Sequence, residues 1–185
     1  MRLLIAIALL LISAGAASAE IFHSRESALK LAFPEAESFE SESVILSAHQ
    51  VEEIESRSRT RLESRLVNVH IARSDEGLVG YAFLETHTIR SLPETILVAI
   101  APDGTSRSVH LLAFHEPSEY QPSERWLAQF GNRELDDELS LRGGLSGIAG
   151  ATMTANAITA AVRRLLAIFE VAVAVPKTGS AAESR

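Results

Sequence analysis

In the stretch Leu145-Ser146-Gly147-Ile148-Ala149-Gly150-Ala151-Thr152-Met153-Thr154, residue types and spacing together point to ligand chemistry. Two glycines and three further small residues allow close approach to the backbone. A helical pattern begins immediately afterwards. The first turn of such a helix carries unpaired N–H groups and the positive end of the helix dipole, which together favour a phosphate. No Gly-Lys-Ser/Thr follows, so this is not a Walker A loop, and it does not open a strand–Gly-x-Gly-x-x-Gly–helix unit. The same residues also suit a plain helix cap at Thr152 or Thr154, with the glycines serving close packing. A hydrolase using Ser146 or Thr152 as nucleophile lacks a matched His/Asp arrangement.

Other polar candidates are weaker. His115-Glu116-Pro117 closes a strand. Thr86-His87-Thr88, before Leu92-Pro93-Glu94-Thr95, reads as a polar loop. His110 and His115 are five apart, so one strand would turn them to opposite sides, which disfavours a shared metal. His23, His49 and His70 have no partner pattern and read as surface residues. Trp126, the single tryptophan, reads as core packing under the sheet. The acidic run over 35–55 reads as a solvated face.

Several elements must position these groups. Residues 24–32 read as a helix with Ser24 as cap and Pro34 as stop. A short strand is expected at 44–46, then a helix over 47–56 with Ser47-x-x-Gln50 as a capping box and Val51 and Ile54 on one face. The alternation over 66–72, the turn Ser74-Asp75-Glu76-Gly77 and the run 78–84 form a hairpin. A second hairpin joins 95–100 and 108–114 through Pro102-Asp103-Gly104. Residues 122–131 begin as a helix and end at Gly131, and 132–144 read as loop. The longest helix is expected from Thr154 to about Ala172, with Ile158, Ala161, Val162, Leu165, Leu166 and Phe169 on a broad apolar face. Arg163 and Arg164 interrupt it and argue against membrane insertion. The architecture expected is α+β: an antiparallel sheet of about four or more strands with helices packed on one face.

The run Gly147-Ile148-Ala149-Gly150-Ala151-Thr152-x-Thr154 resembles the attachment motif of FMN-binding domains. That family includes the G subunit of Rnf electron-transport complexes and the C subunit of the sodium-pumping NADH:quinone reductase, and its pattern is roughly D-x-x-[ST]-G-A-T. Upstream, Gly80-Tyr81-Ala82-Phe83, the run 95–100, Asp103-Gly104, the run 109–114 with His115-Glu116, and Trp126-Leu127-x-x-Phe130 keep the family's order. The similarity spans roughly 66–164 and is nearest to small exported members. It implies FMN joined through its phosphate to the Thr152 hydroxyl, a bond made by a separate flavin transferase from FAD. It implies a cofactor site of Gly147, Ile148, Ala149, Gly150, Ala151, Thr152 and Thr154, with His115 and Glu116 beside the flavin. It also implies electron transfer, as a redox carrier or subunit rather than a stand-alone enzyme, in contact with a membrane redox complex or a periplasmic electron carrier. This chain departs at two positions, with Ser146 where the family has Asp and Ala149 where it often has Ser or Thr. Ser146 motivates the alternative of a module that keeps the fold but binds FMN non-covalently or not at all.

Composition sets the remaining bounds. The 185 residues suit about one domain, and 46% hydrophobic content suffices for a core. A net charge of −7 argues against nucleic-acid binding. The absence of cysteine excludes disulfides, thiolate zinc sites and cysteine-held haem or iron–sulfur clusters. Arg2, an apolar run over 3–12 and Ala17-Ser18-Ala19 read as a cleaved export signal over 1–19, too short to span a bilayer. The domain plan is then an N-terminal segment over 20–64, an FMN-binding domain over 65–175 and a disordered tail over 176–185. The expected location is the periplasm, with some association with the membrane surface.

Overall fold

Six strands form one antiparallel sheet: β1 (Glu20–Ile21), β2 (Ser38–Ile45), β3 (Leu66–Ser74), β4 (Gly77–Thr88), β5 (Pro93–Ile100) and β6 (Ser106–Phe114), in the spatial order β1-β6-β5-β4-β3-β2. The computed structural model describes residues 20–174, so the expected leader at 1–19 and the tail at 176–185 lie outside the described residues. Local chemistry fixes the two central hairpins. Gly77 closes the β3–β4 turn at φ 121° and Gly104 the β5–β6 turn at φ 95°, conformations that strain a side chain. Asp103 sets the second turn by accepting from the Thr105 N–H and hydroxyl at 2.9 and 2.8 Å.

Helix α1 (Arg25–Ala32) is capped by Ser24, and α2 (Ala48–Ser58) carries the Ser47–Gln50 capping box in both directions. A short α3 (Glu124–Leu127) continues as a 3-10 turn over Ala128–Phe130. Helix α4 (Thr152–Ile168) ends in a π turn over Phe169–Val173. The α+β class follows directly. Residues 20–64 contribute β1, α1, β2 and α2 to the same sheet and its layers.

Helices cover both faces, not one. On one face Ile158, Val162, Leu165 and Leu166 of α4 pack with Phe83, Ile96, Val98 and Ile100, and each such burial contributes about 1.5–3 kcal/mol. On the other, Ala28, Leu29 and Ala32 of α1, with Phe33, pack on Ala72, Ala82, Leu97, Ala99 and Leu112. A central sheet alternating apolar residues on both sides must be covered on both sides. Gly80 makes this second layer fit: a Cβ there would lie 2.6 Å from the Phe33 ring and 2.6 Å from the Ile100 carbonyl.

Three further expectations are corrected. Strand β2 spans eight residues, because Ser38 to Ile45 pair one-for-one with β3 although little of β2 is apolar. Strand β4 runs on to Thr88, so Thr86-His87-Thr88 is ladder rather than loop, paired with Thr95, Glu94 and Pro93 of β5. His70 is buried, its Nδ1 2.7 Å from the Ser41 hydroxyl across the β2–β3 pair, and burial lowers its pKa.

Candidate functional site

The turn before α4 is held from outside. Trp126 Nε1 donates to the Ser146 carbonyl at 2.7 Å, and Gln129 both donates to that carbonyl and accepts from the Ser146 N–H at 2.8 Å. Trp126 is therefore core packing plus a latch on the loop. Leu145 is buried and Ile148 packs against the core, so the segment is tethered at both points. Gly150 then turns the chain at φ 80°, and nothing lies within 4 Å of where its Cβ would be.

Helix α4 starts at Thr152, and its cap position is Ala151, whose side chain cannot accept a hydrogen bond. Neither Thr152 nor Thr154 is the cap. The first helical bond runs from the Ala155 N–H to the Ala151 carbonyl at 3.1 Å. The N–H groups of Thr152, Met153 and Thr154 are thus left without a main-chain acceptor and without a side-chain cap, at the positive end of the dipole. Thr152 is exposed, whereas Thr154 is buried against the core.

The opposite wall comes from the 89–92 loop. One oxygen of the buried Glu116 carboxylate accepts three N–H bonds, from Arg90, Ser91 and Leu92, at 3.1, 3.0 and 3.0 Å. These bonds, those from Ser91 and Leu92 foremost, hold the carboxyl below its ordinary pKa range. Glu116 thereby fixes where Arg90 stands. The Arg90 guanidinium lies 4.7 Å over the Tyr120 ring, and its Nε donates to the Met153 sulfur at 3.4 Å. It makes no ion pair with a carboxylate among the described residues, so its charge is available to a ligand.

Arg90, Tyr120, Glu116, Gly150, Ala151, Thr152, Met153 and Thr154, with Ile89, line a cavity of about 170 Å³. Of the sequence-derived site residues, the structure brings together Gly150, Ala151, Thr152, Thr154 and Glu116. Gly147, Ile148 and Ala149 form the lead-in and do not line the cavity. His115 turns away, its Nδ1 donating to the Pro93 carbonyl at 3.0 Å. Arg90 and Tyr120 were missed, because nothing in the spacing ties them to a motif some sixty residues from Arg90.

The donor set fits a phosphate: three N–H groups without a main-chain acceptor, a guanidinium with no direct ion pair among the described residues, and a hydroxyl, around a glycine that leaves room, with the Glu116 carboxylate on the same wall as Arg90. The cavity is smaller than the roughly 300–1,000 Å³ that encloses a whole small molecule. It fits the phosphate end of FMN; a flavin ring would lie outside it.

A second polar cluster sits under α4, next to this loop. His87 of β4 and Glu94 of β5 are cross-strand partners with Nε2 to Oε1 at 2.5 Å, and Glu94 is fully buried. Glu85 lies 3.4 Å from His87 Nδ1 and is bridged by Arg164 of α4 through two of its nitrogens. Burial alone would lower the His87 pKa, but the Glu85 carboxylate beside Nδ1 and the hydrogen bond to Glu94 outweigh it and push the value up to about 9. Burial raises Glu94. Burial also opposes charge on Glu85, yet His87 and Arg164 hold it below its ordinary value. The four groups set two basic side chains against two carboxyl groups, and they pin the ends of β4 and β5 on either side of the 89–92 loop.

Among the described residues, no group of three or more His, Asp or Glu is arranged to hold a metal ion, and no helix is long and apolar enough to cross a membrane. No family model matches the chain, and no curated protein matches it.

Proposed function

We propose that this chain is an exported electron-transfer flavoprotein that carries FMN through its phosphate at the mouth of α4, as a phosphoester on Thr152. The observation that carries this reading is an uncapped helix N-terminus whose exposed threonine shares one small cavity with an arginine that makes no direct ion pair among the described residues. An unspent turn of N–H groups at a dipole's positive end is favourable for an anion and unfavourable left bare.

Each residue then has a task. The N–H groups of Thr152, Met153 and Thr154 receive phosphate oxygens, and Arg90 balances their charge from the facing wall. Glu116 positions Arg90 by gripping its loop, and Gly150 keeps the approach clear. Thr152 supplies the hydroxyl through which the tether is made: its Oγ–P bond forms as the phosphoanhydride of FAD breaks and AMP leaves, on a flavin transferase. The bound FMN supplies one- and two-electron transfer; the chain supplies retention and orientation. The partners in this reading are the transferase and either a membrane redox complex or a periplasmic electron carrier.

Ser146 favours a second reading, a module that holds FMN without the bond or not at all. The position that resembles the family's Asp carries an uncharged, exposed side chain whose backbone is committed to Trp126 and Gln129. Intact mass of the protein from its own host separates the two. The first reading expects the processed polypeptide plus one FMN less one water, ultraviolet fluorescence of the band after denaturing electrophoresis, and loss of both in Thr152→Ala. A bare polypeptide mass that gains the flavin only in Ser146→Asp establishes the second.

A further inference from the structure

A cavity of about 530 Å³ lies away from α4, along the outer edge of β6. Its position on the sheet is unusual. Strand β1 covers β6 only at Ala113 and Phe114, and beyond it the Phe22 and His23 N–H groups both donate to the Leu112 carbonyl. At the other end Ser106 is bridged to Arg133, and Asn132 donates to its carbonyl. Between these two covered ends, residues 108–111 pair with β5 on one side only, and Arg107 stands as the extra residue of a bulge. Alternate residues of an antiparallel strand turn both main-chain groups to the same side. Counting by twos from Leu112, the uncovered edge presents the N–H and C=O groups of His110 and Ser108 to the cavity, over a length of four residues, about 14 Å.

The walls suit a strand. Leu31 of α1 stands on one side of the edge, and Pro122, Leu127 and Ala128 stand on the other. An inserted strand directs alternate side chains to opposite faces, and here each face meets an apolar wall. The charges are compensated. Both terminal nitrogens of Arg107 are spent on Glu35, at 2.6 and 3.0 Å. His110 shares a 2.8 Å hydrogen bond with the Ser108 hydroxyl, and burial keeps it towards the neutral form.

We propose that this slot binds an extended, uncharged peptide segment of a partner protein by strand addition to β6, continuing the edge that β1 begins to cover. Main-chain bonds to 108–111 supply the recognition, and the two apolar walls select small or branched side chains at successive positions, one wall for each face of the inserted strand. This inference does not rest on the flavin reading.

The test uses fluorescein-labelled acetyl-Thr-Val-Thr-Val-Thr amide and the whole protein, read by fluorescence anisotropy. Saturable binding is expected, weakened at least tenfold when alternate peptide nitrogens are methylated, since methylation removes main-chain donors and leaves the side chains. Leu31→Trp and Ala128→Trp, both at exposed wall positions, are expected to weaken it to a similar degree by filling the slot, with the thermal midpoint unchanged. Equal binding of the methylated peptide overturns strand addition, and so does absence of binding at millimolar peptide. Saturable uptake of the neutral probe N-phenyl-1-naphthylamine with the peptide silent also overturns it and makes the cavity a small-molecule site.

Discussion

The His87–Glu94 pair allows the pH dependence of stability to be worked out with its sign. The imidazole is 2.5 Å from a fully buried carboxylate and 3.4 Å from a second one, and its folded pKa is about 9 against 6.5 in the open chain. Between those values the folded protein holds a proton that the unfolded chain has released. Stability from this group is therefore complete below about pH 6.5 and is lost as pH rises through about 9. The interval is roughly two to three pH units, and at about 1.4 kcal/mol per unit the loss is of order 3 kcal/mol. The raised pKa of Glu94 acts in the same direction, since its ionisation costs the folded state more than the unfolded one. Glu85 acts at the other end: its pKa is lowered, so its contribution is present above the ordinary carboxylate range and lost as pH falls through the depressed value. The assay is urea unfolding at pH 6.5, 8 and 9.5, with the double variant His87→Gln/Glu94→Gln as the non-titrating reference. Wild type is expected to lose about 2–3 kcal/mol more than the double variant across that range. Parallel curves for the two proteins would refute the coupling. Because the pair brackets the 89–92 loop, amide exchange at residues 90–92 is expected to quicken over the same interval.

Three further outcomes are expected. Arg90→Ala, made in Thr152→Ala so that binding is reversible, is expected to weaken FMN about five- to tenfold by calorimetry. That is the lower part of the range for a charge-assisted bond at an exposed site, and riboflavin, which lacks the phosphate, should be unaffected. Glu116→Gln replaces a charged acceptor of three N–H bonds with a neutral one and is expected to cost about 1.5–3 kcal/mol by urea unfolding, with faster amide exchange confined first to the 90–92 segment. Gly80→Ala drives a methyl against a backbone carbonyl and a fully buried ring, and is expected to cost about 1–3 kcal/mol in thermal or urea unfolding with no change in cofactor content.

Elements whose signal is local were legible from the chain. The Ser24 and Ser47 caps, the Gly77 and Gly104 turns and the apolar stripe of α4 each depend on residues a few positions apart, and each stands where its spacing predicts. Elements decided by a distant partner were not. Strand β2 alternates serine and glutamate with little apolar content, and it is a strand because β3 offers it an edge. Thr86-His87-Thr88 has a loop's composition, and it is ladder because Glu94, its cross-strand partner on β5, meets the imidazole that composition places under α4. Arg163 breaks an apolar face in sequence. In the fold its guanidinium reaches the carbonyls of Arg57, Ser58, Asp136 and Leu139, tying the end of α2 and the 132–144 loop to α4.

The candidate site divides along the same line. Its near half is a continuous segment, so glycine spacing and the onset of a helix suffice to mark Gly150, Ala151 and Thr152. Its far half is assembled by topology. Glu116 follows β6, Arg90 lies between β4 and β5, and the carboxylate of one grips the backbone of the other across the sheet's end. That division has a physical consequence for the cofactor reading. The helix mouth alone offers any anion a modest dipole attraction of about 0.3–1 kcal/mol. Selection of a phosphate monoester over other anions must come from the second charge and its fixed distance, and therefore from Glu116 and Arg90 rather than from the glycine-rich motif. Restoring an acidic residue at 146 can then change how FMN is attached, but it should leave the preference for phosphate intact, whereas Glu116→Gln should erode that preference while leaving every residue of the motif in place.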